Sequence, residues 1–200
     1  MLNLDKYLIK EHVGFLKLLG AYDIFDAESG RKVGTARENI PGWMQALRLL
    51  VNKSLMPTTI EFIEGAGENP EGAPVLSIHR GVALWRPRVK VFSADGTVVG
   101  CFRAKVFTIG GGFDILSPDD RKIGEVKGDW KGWNFKILDE NSNELGVVTK
   151  KWAGIGKEFF TSADNYILSL NDQWEPTPAL RTLLLAAAIA IDTVFKEKNG

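Results

Sequence analysis

The chain has 200 residues, 25 of them basic and 25 acidic, so its formal net charge is zero. A dedicated nucleic-acid binder is as a rule strongly basic, which sets that class aside for the chain taken whole. One cysteine, Cys101, excludes an internal disulfide framework, and with no Pro/Gly/Ser-rich linker residues 1–200 read as a single domain around one core.

The start, MLNLDKYLIKEH, is interrupted by Asp5, Lys6, Lys10 and Glu11, unlike the apolar stretch of a signal peptide, so the expected compartment is the reducing cytoplasm. A flanking strand is expected near residues 13–18. YDIFDAESGRKVG, from Tyr22, then introduces a phrase that returns as VKVFSADGTVVG from Val89, FDILSPDDRKIG from Phe113 and FKILDENSNELG from Phe135. In every copy positions one and three are apolar and position two is Asp or Lys, the period-two alternation of a strand with one buried face. Position four is apolar as well (Phe25, Phe92, Leu116, Leu138), so part of the outer face should be covered. Position five is Asp26, Ser93, Ser117 or Asp139, side chains that bond backbone groups two residues on and start a turn. Each phrase is therefore a β-hairpin. Its returning strand carries Gly34, Gly100, Gly124 or Gly146, where a bulge, a bend or close backbone approach is expected.

PGWMQALRLLVNK, from Pro41, has Trp43, Ala46, Leu47 and Leu50 at helical spacing and predicts a short helix. A weaker hairpin follows, IEFIE from Ile60 and VLSI from Val75 around a stretched turn, and another flanking strand is expected near residues 166–170. About twelve antiparallel strands in one sheet would leave two exposed edges, which closure into a barrel removes. The tail TPALRTLLLAAAIAIDTVFKEK offers Thr177 as N-cap and Pro178 as first helical residue, predicting a helix over 178–196. From 178 to 195 it would be about 27 Å long, close to a bilayer's hydrocarbon thickness. Its uninterrupted apolar run is only Leu183 to Ile191, bracketed by Arg181 and Asp192, which favours burial. The fold class is thus mainly β: a closed antiparallel barrel of about twelve strands around a buried hydrophobic C-terminal helix.

The order hairpin, KKWAG, FTSADNY and apolar helix, running from Phe135 to Glu197, resembles the C-terminal part of phospholipid scramblases. The upstream hairpins fit the same superfamily, which includes tubby C-terminal and LURP-one-related domains. The resemblance implies a twelve-stranded barrel around a C-terminal helix. It also implies lipid: scramblases are linked to calcium-stimulated lipid mixing, tubby domains to phosphoinositide binding. Of the family's calcium-binding stretch this sequence keeps Asp164 and Asp172, with Ser162 where another acid is usual; the proline-rich N-terminal region and the palmitoylated cysteine cluster do not occur in it.

Other chemistry is sparse. DENSNELGVVTK has Asp139, Asn141 and Asn143 in alternate positions, but Glu144 and Lys150 stand where a calcium loop needs glycine and glutamate, so it reads as a plain turn. GGG at 110–112 and GIGK at 154–157 lack phosphate-loop spacing and read as bends. His12, His79 and Cys101 have no metal-ligand spacing, and no nucleophile and base can be identified; neither an enzyme nor a cofactor is expected. Two surface candidates for lipid phosphates remain: Arg80, Arg86, Arg88 and Lys90 around Trp85, and Lys127, Lys131, Lys150 and Lys151 near Trp130, Trp133 and Trp152. The leading expectation is a non-catalytic, cytoplasmic protein, peripheral at an anionic phospholipid membrane, that binds headgroups or assists lipid movement. The rival is a soluble protein-interaction or regulatory module on the same scaffold.

Overall fold

A computed structural model describes residues 1–12, 20–42, 44, 56–67, 70–81, 88–105, 112–129, 132–150 and 165–195. Twelve strands form: β1 (Lys6–Glu11), β2 (Ala21–Asp26), β3 (Lys32–Asn39), β4 (Thr58–Glu64), β5 (Leu76–Arg80), β6 (Arg88–Ser93), β7 (Val98–Ala104), β8 (Gly112–Leu116), β9 (Lys122–Asp129), β10 (Asn134–Asp139), β11 (Glu144–Thr149) and β12 (Asn165–Leu170). Each pairs antiparallel with its sequence neighbours, and β1 pairs with β12 from Lys6↔Ser169 to Lys10↔Asn165, so the barrel is closed. The helix Pro178–Phe195, α1, follows β12.

The repeated phrase is the wall's building unit. Tyr22 and Ile24, Val89 and Val91, Phe113 and Ile115, and Phe135 and Ile137 all point into the core and are at most 3 % exposed. In each unit the pairing register slips by one residue between positions three and four, opposite the apolar residue that precedes the glycine. The result is four β-bulges at equivalent places, as the glycines led one to expect. A Cβ on Gly124 would stand 2.5 Å from the Leu138 carbonyl oxygen of β10, and one on Gly100 would meet Leu116 O at 2.6 Å and a Leu183 methyl of α1 at 2.9 Å. Close approach of the next strand and of the helix, rather than an unusual φ, excludes a side chain there. In the turns Asp139 Oδ1 accepts from the Asn141 and Asn143 amides, both at 2.8 Å, and Asp26 Oδ1 accepts from the Glu28 amide at 2.9 Å. DENSNELG is a hairpin turn.

The weaker hairpin is β4 and β5. The first flanking strand differs from expectation: it is Lys6–Glu11, while residues 13–18 lie outside those described. Leu8 obscures the alternation there, because it points outward between the core residues Tyr7 and Ile9 and is still buried, opposite Ile167 and Phe25. Of the helix expected over 41–53 only Pro41, Gly42 and Met44 are described, the last two helical.

α1 fills the barrel. The Leu180 amide donates to Thr177 Oγ1 at 3.4 Å, confirming the N-cap. Every residue from Leu183 to Ile191 is at most 2 % exposed. Its five leucines and isoleucines, at about 2 kcal/mol each, contribute roughly 10 kcal/mol as an upper figure. Arg181 Nη1 ties the first turn to Leu4 O and Asp5 Oδ1, both at 3.0 Å. No helix among the described residues is long and apolar enough to cross a membrane.

Candidate functional site: the loop end of the barrel

Up-and-down topology gives the barrel two unlike ends. The five hairpin turns (27–31, 65–75, 94–97, 117–121, 140–143), the first five residues and the β12–α1 connection share one, here the turn end. The six other inter-strand connections (12–20, 40–57, 81–87, 105–111, 130–133, 150–164) begin and finish at the opposite, loop end. The sequence segregates charge between them. The loop-end connections contain nine cations (Lys17, Arg48, Lys53, Arg86, Lys105, Lys131, Lys150, Lys151 and Lys157) against two acids, Glu158 and Asp164. The turn-end segments contain ten acids (Asp5, Glu28, Glu68, Glu71, Asp95, Asp119, Asp120, Glu140, Asp172 and Glu175) against Arg31 and Arg121. Five of the six tryptophans, Trp43, Trp85, Trp130, Trp133 and Trp152, belong to loop-end connections; Trp174 alone belongs to the other end. The neutral whole therefore conceals a strongly polarised distribution, which no single motif in the sequence announces.

The described site residues sit as follows. Arg88 opens β6 at the loop end, half-exposed, with Nη1 donating to Asp120 Oδ1 at 3.0 Å. Lys90 is exposed two residues further along. Lys150, just past β11, holds Nζ 4.3 Å from the centre of the Trp133 ring, a cation–π contact. Arg80 is not a surface group. β5 alternates Leu76, Ile78, Arg80 on its inward face, so the guanidinium turns into the barrel mouth, is 7 % exposed, and donates from Nη2 to Thr58 Oγ1 at 3.2 Å and Met56 O at 3.4 Å. Trp85, Arg86, Lys131, Lys151 and Asp164 lie outside the described residues.

Lys127 is exposed and already paired with Glu125 in an ion network on the outer wall. Glu125 also takes Lys105 at 2.5 Å and Lys122 at 2.8 Å, while Asp114 lies 3.4 Å from Lys122 and from Arg103. Burial acts to raise the Glu125 pKa, but the hydrogen bonds from Lys105, Lys122 and Lys127 outweigh it and hold it at about 2. The network fixes β7, β8 and β9 side by side and absorbs the charge that Lys127 would otherwise offer.

Beneath the loop end the helix and wall meet in a polar layer. Trp133 adopts a left-handed backbone, φ 47°, and packs its ring 5.2 Å from Tyr166 and edge-on to Phe135 at 5.6 Å. Tyr22 donates its hydroxyl to Asp192 Oδ2 at 2.8 Å, close to the C-terminal end of α1. Burial, followed by the nearby Asp192 charge, pushes the pKa of both Tyr22 and Tyr166 well above the usual tyrosine value. The Tyr166 hydroxyl is buried and makes no hydrogen bond among the described residues. This layer seats the helix rather than binding a ligand.

Asp172 follows β12 at the turn end, whereas residue 164 precedes the same strand at the loop end, and six strand residues span about 17–20 Å, too far for one calcium ion. His12 Nε2 bonds Asp23 Oδ2 at 2.7 Å, and His79 packs on Phe92; burial, partly opposed by the Glu61 charge, lowers the His79 pKa. Cys101 is buried, which raises its thiol pKa.

A twelve-stranded closed barrel wrapped around one apolar helix is the architecture that the sequence resemblance implied. Known proteins agree. Residues 131–198 match the family model described as Scramblase. Altered inheritance rate of mitochondria protein 25 of Saccharomyces cerevisiae is 25 % identical over 147 residues, which cover 66 % of this chain and 39 % of the yeast protein. An X-ray structure of an Arabidopsis thaliana protein shares the fold, with a TM-score of 0.52 and 14 % identity over 94 % of this chain and 91 % of that one. The chain is thus a closed β-barrel around a C-terminal helix, scramblase-like in its C-terminal third, and it spans well under half of its yeast relative.

Proposed function

We propose that the protein is a scramblase-related, non-catalytic lipid-associated barrel that docks its loop end on membranes bearing anionic phospholipids. The observation that carries this reading is the segregation of nine cations and five tryptophans to one end and ten acids to the other. A Lys or Arg near an anionic leaflet contributes about 1 kcal/mol, tryptophan rings favour the headgroup layer, and the acidic turn end is repelled. Together these orient the barrel end-on. The proposed contacts are Trp85, Arg86, Lys90, Lys131, Lys150 and Lys151, with Arg88 and Lys127 secondary because Asp120 and Glu125 already hold them. The scramblase-like segment supports extending the role to assisting phospholipid movement, and a yeast relative named for mitochondrial inheritance is compatible with work at an organelle membrane. Flotation with phosphatidylserine-containing vesicles tests the reading. Binding that weakens steeply between 50 and about 300 mM salt is expected; absence of binding at low salt would overturn it in favour of a protein-interaction scaffold.

A further inference from the structure

We infer a second binding site, a groove of about 810 Å³ on the outer wall over β11 and β12, that takes a neutral polyhydroxylated ligand such as a sugar ring. A barrel's outer surface is normally convex. Here the outward residues of two adjacent strands, Val147, Thr149 and Ser169, are short, and taller side chains at Asn134 on one rim and Gln173 on the other make the wall concave. The volume falls in the range of small-molecule sites.

The lining chemistry selects the ligand. Its charged member among the described residues is Glu144, whose carboxylate Oε2 is paired with Lys136 Nζ at 2.8 Å, and the two lysines that flank the floor, Lys136 beside Val147 and Lys6 beside Ser169, are each held in an ion pair, Lys6 with Glu28 at 2.9 Å. The Asn134 and Gln173 amides and the Ser169 hydroxyl, by contrast, have no hydrogen-bond partner among the described residues and line a floor formed in part by Val147. Amides and hydroxyls above an apolar floor match the alternating hydroxyls and C–H faces of a pyranose. This wall site runs down the outer wall from the loop end, where Gly132 lines it, and its ligand is of the opposite character, uncharged rather than anionic.

The test is an amide-resolved NMR titration of the full chain with maltose, with inorganic phosphate as the anionic counterpart. Maltose should shift the Val147, Thr149 and Ser169 amides and saturate at about millimolar concentration, the affinity expected for a ligand of this size and polarity; phosphate should leave them in place. Ser169→Trp, which fills the groove, should abolish the shifts, and the exposed Asn134→Ala, which leaves the core untouched, should weaken binding about three- to tenfold. Neutral vesicles with and without glucosylceramide distinguish a lipid-borne sugar from a free one: retention on the glycolipid vesicles alone assigns the groove to a headgroup, and maltose binding without retention assigns it to a soluble sugar. If neither maltose nor glucosylceramide vesicles perturb these amides, or if phosphate shifts them as strongly as maltose, the inference fails. Neither result bears on anionic-vesicle flotation.

Discussion

Leu184 stands at the middle of the helix that the barrel encloses and is fully buried. Truncation to alanine removes the transfer energy of three carbons and leaves a cavity among packed neighbours, which costs about 2–5 kcal/mol. For a chain of this size each kcal/mol lowers the melting temperature by about 2–4 °C, so Leu184→Ala should melt roughly 4–20 °C below the parent. Leu184→Asp adds a carboxylate to the apolar core cluster, a further cost of several kcal/mol that brings the total near the roughly 5–15 kcal/mol stabilising a typical domain. That variant should be unfolded at neutral pH by circular dichroism and tryptophan fluorescence. The introduced carboxyl has a raised pKa in the folded state, so the penalty shrinks as pH falls and partial refolding is expected at mildly acid pH. A Leu184→Asp protein that melts within a few degrees of the parent at pH 7 would refute the central-helix account.

Further expectations concern the wall and its polar layer. Gly124→Ala forces a methyl to within 2.5 Å of Leu138 O and should cost about 2–4 kcal/mol in urea unfolding, whereas Gly81→Ala, whose methyl would have no described residue within 4 Å, should be near neutral. Ser142 holds the left-handed place in its turn, φ 68°, that Gly96 holds in the second copy of the phrase; Ser142→Gly should therefore stabilise by about 0.5–1 kcal/mol. Tyr22→Phe removes the hydroxyl that serves the buried Asp192 and should destabilise by about 1.5–3 kcal/mol, while Tyr166→Phe removes a buried hydroxyl with no partner among the described residues and should be neutral or slightly stabilising. Because the Glu125 pKa lies at about 2 in the fold, below the ordinary 4.5, its contribution is present above pH 4.5 and is lost as pH falls towards 2. The stability gap between the parent and Glu125→Gln should accordingly close across that window, and a gap that persisted at pH 2 would rule out this assignment.

The wall was legible because its devices are local. Alternation gives the face, Asp26 and Asp139 give the turns, and a glycine after an apolar residue gives the bulge, all within thirteen residues of chain. Closure was legible by exclusion, since twelve strands leave edges that must be disposed of. The first strand was missed because its outward residue, Leu8, is apolar and buried, so KYLIKE shows no alternation. Arg80 was misread for the opposite reason: it was assigned by its cationic neighbours Arg86 and Arg88, although LSIHR already placed it on the face shared by Leu76 and Ile78. The polarity of the ends was invisible to composition because nine cations on one side cancel ten acids on the other. It emerges only when successive connections are assigned alternately to the two ends, a consequence of up-and-down topology rather than of any motif. The outer groove depends on side-chain heights on neighbouring strands far apart in sequence, which no linear pattern encodes.

The most direct test of the proposed end-on docking is a charge-reversal pair in vesicle flotation. Arg86→Glu, Lys150→Glu and Lys151→Glu together reverse three loop-end cations, and at about 1 kcal/mol per cation near an anionic surface the loss should reach at least a hundredfold in affinity for phosphatidylserine vesicles. Arg31→Glu with Arg121→Glu, made at the turn end, should leave affinity within about twofold of the parent. Equal loss from the two variants, or retained binding by the loop-end triple variant with its melting temperature unchanged, would contradict the account.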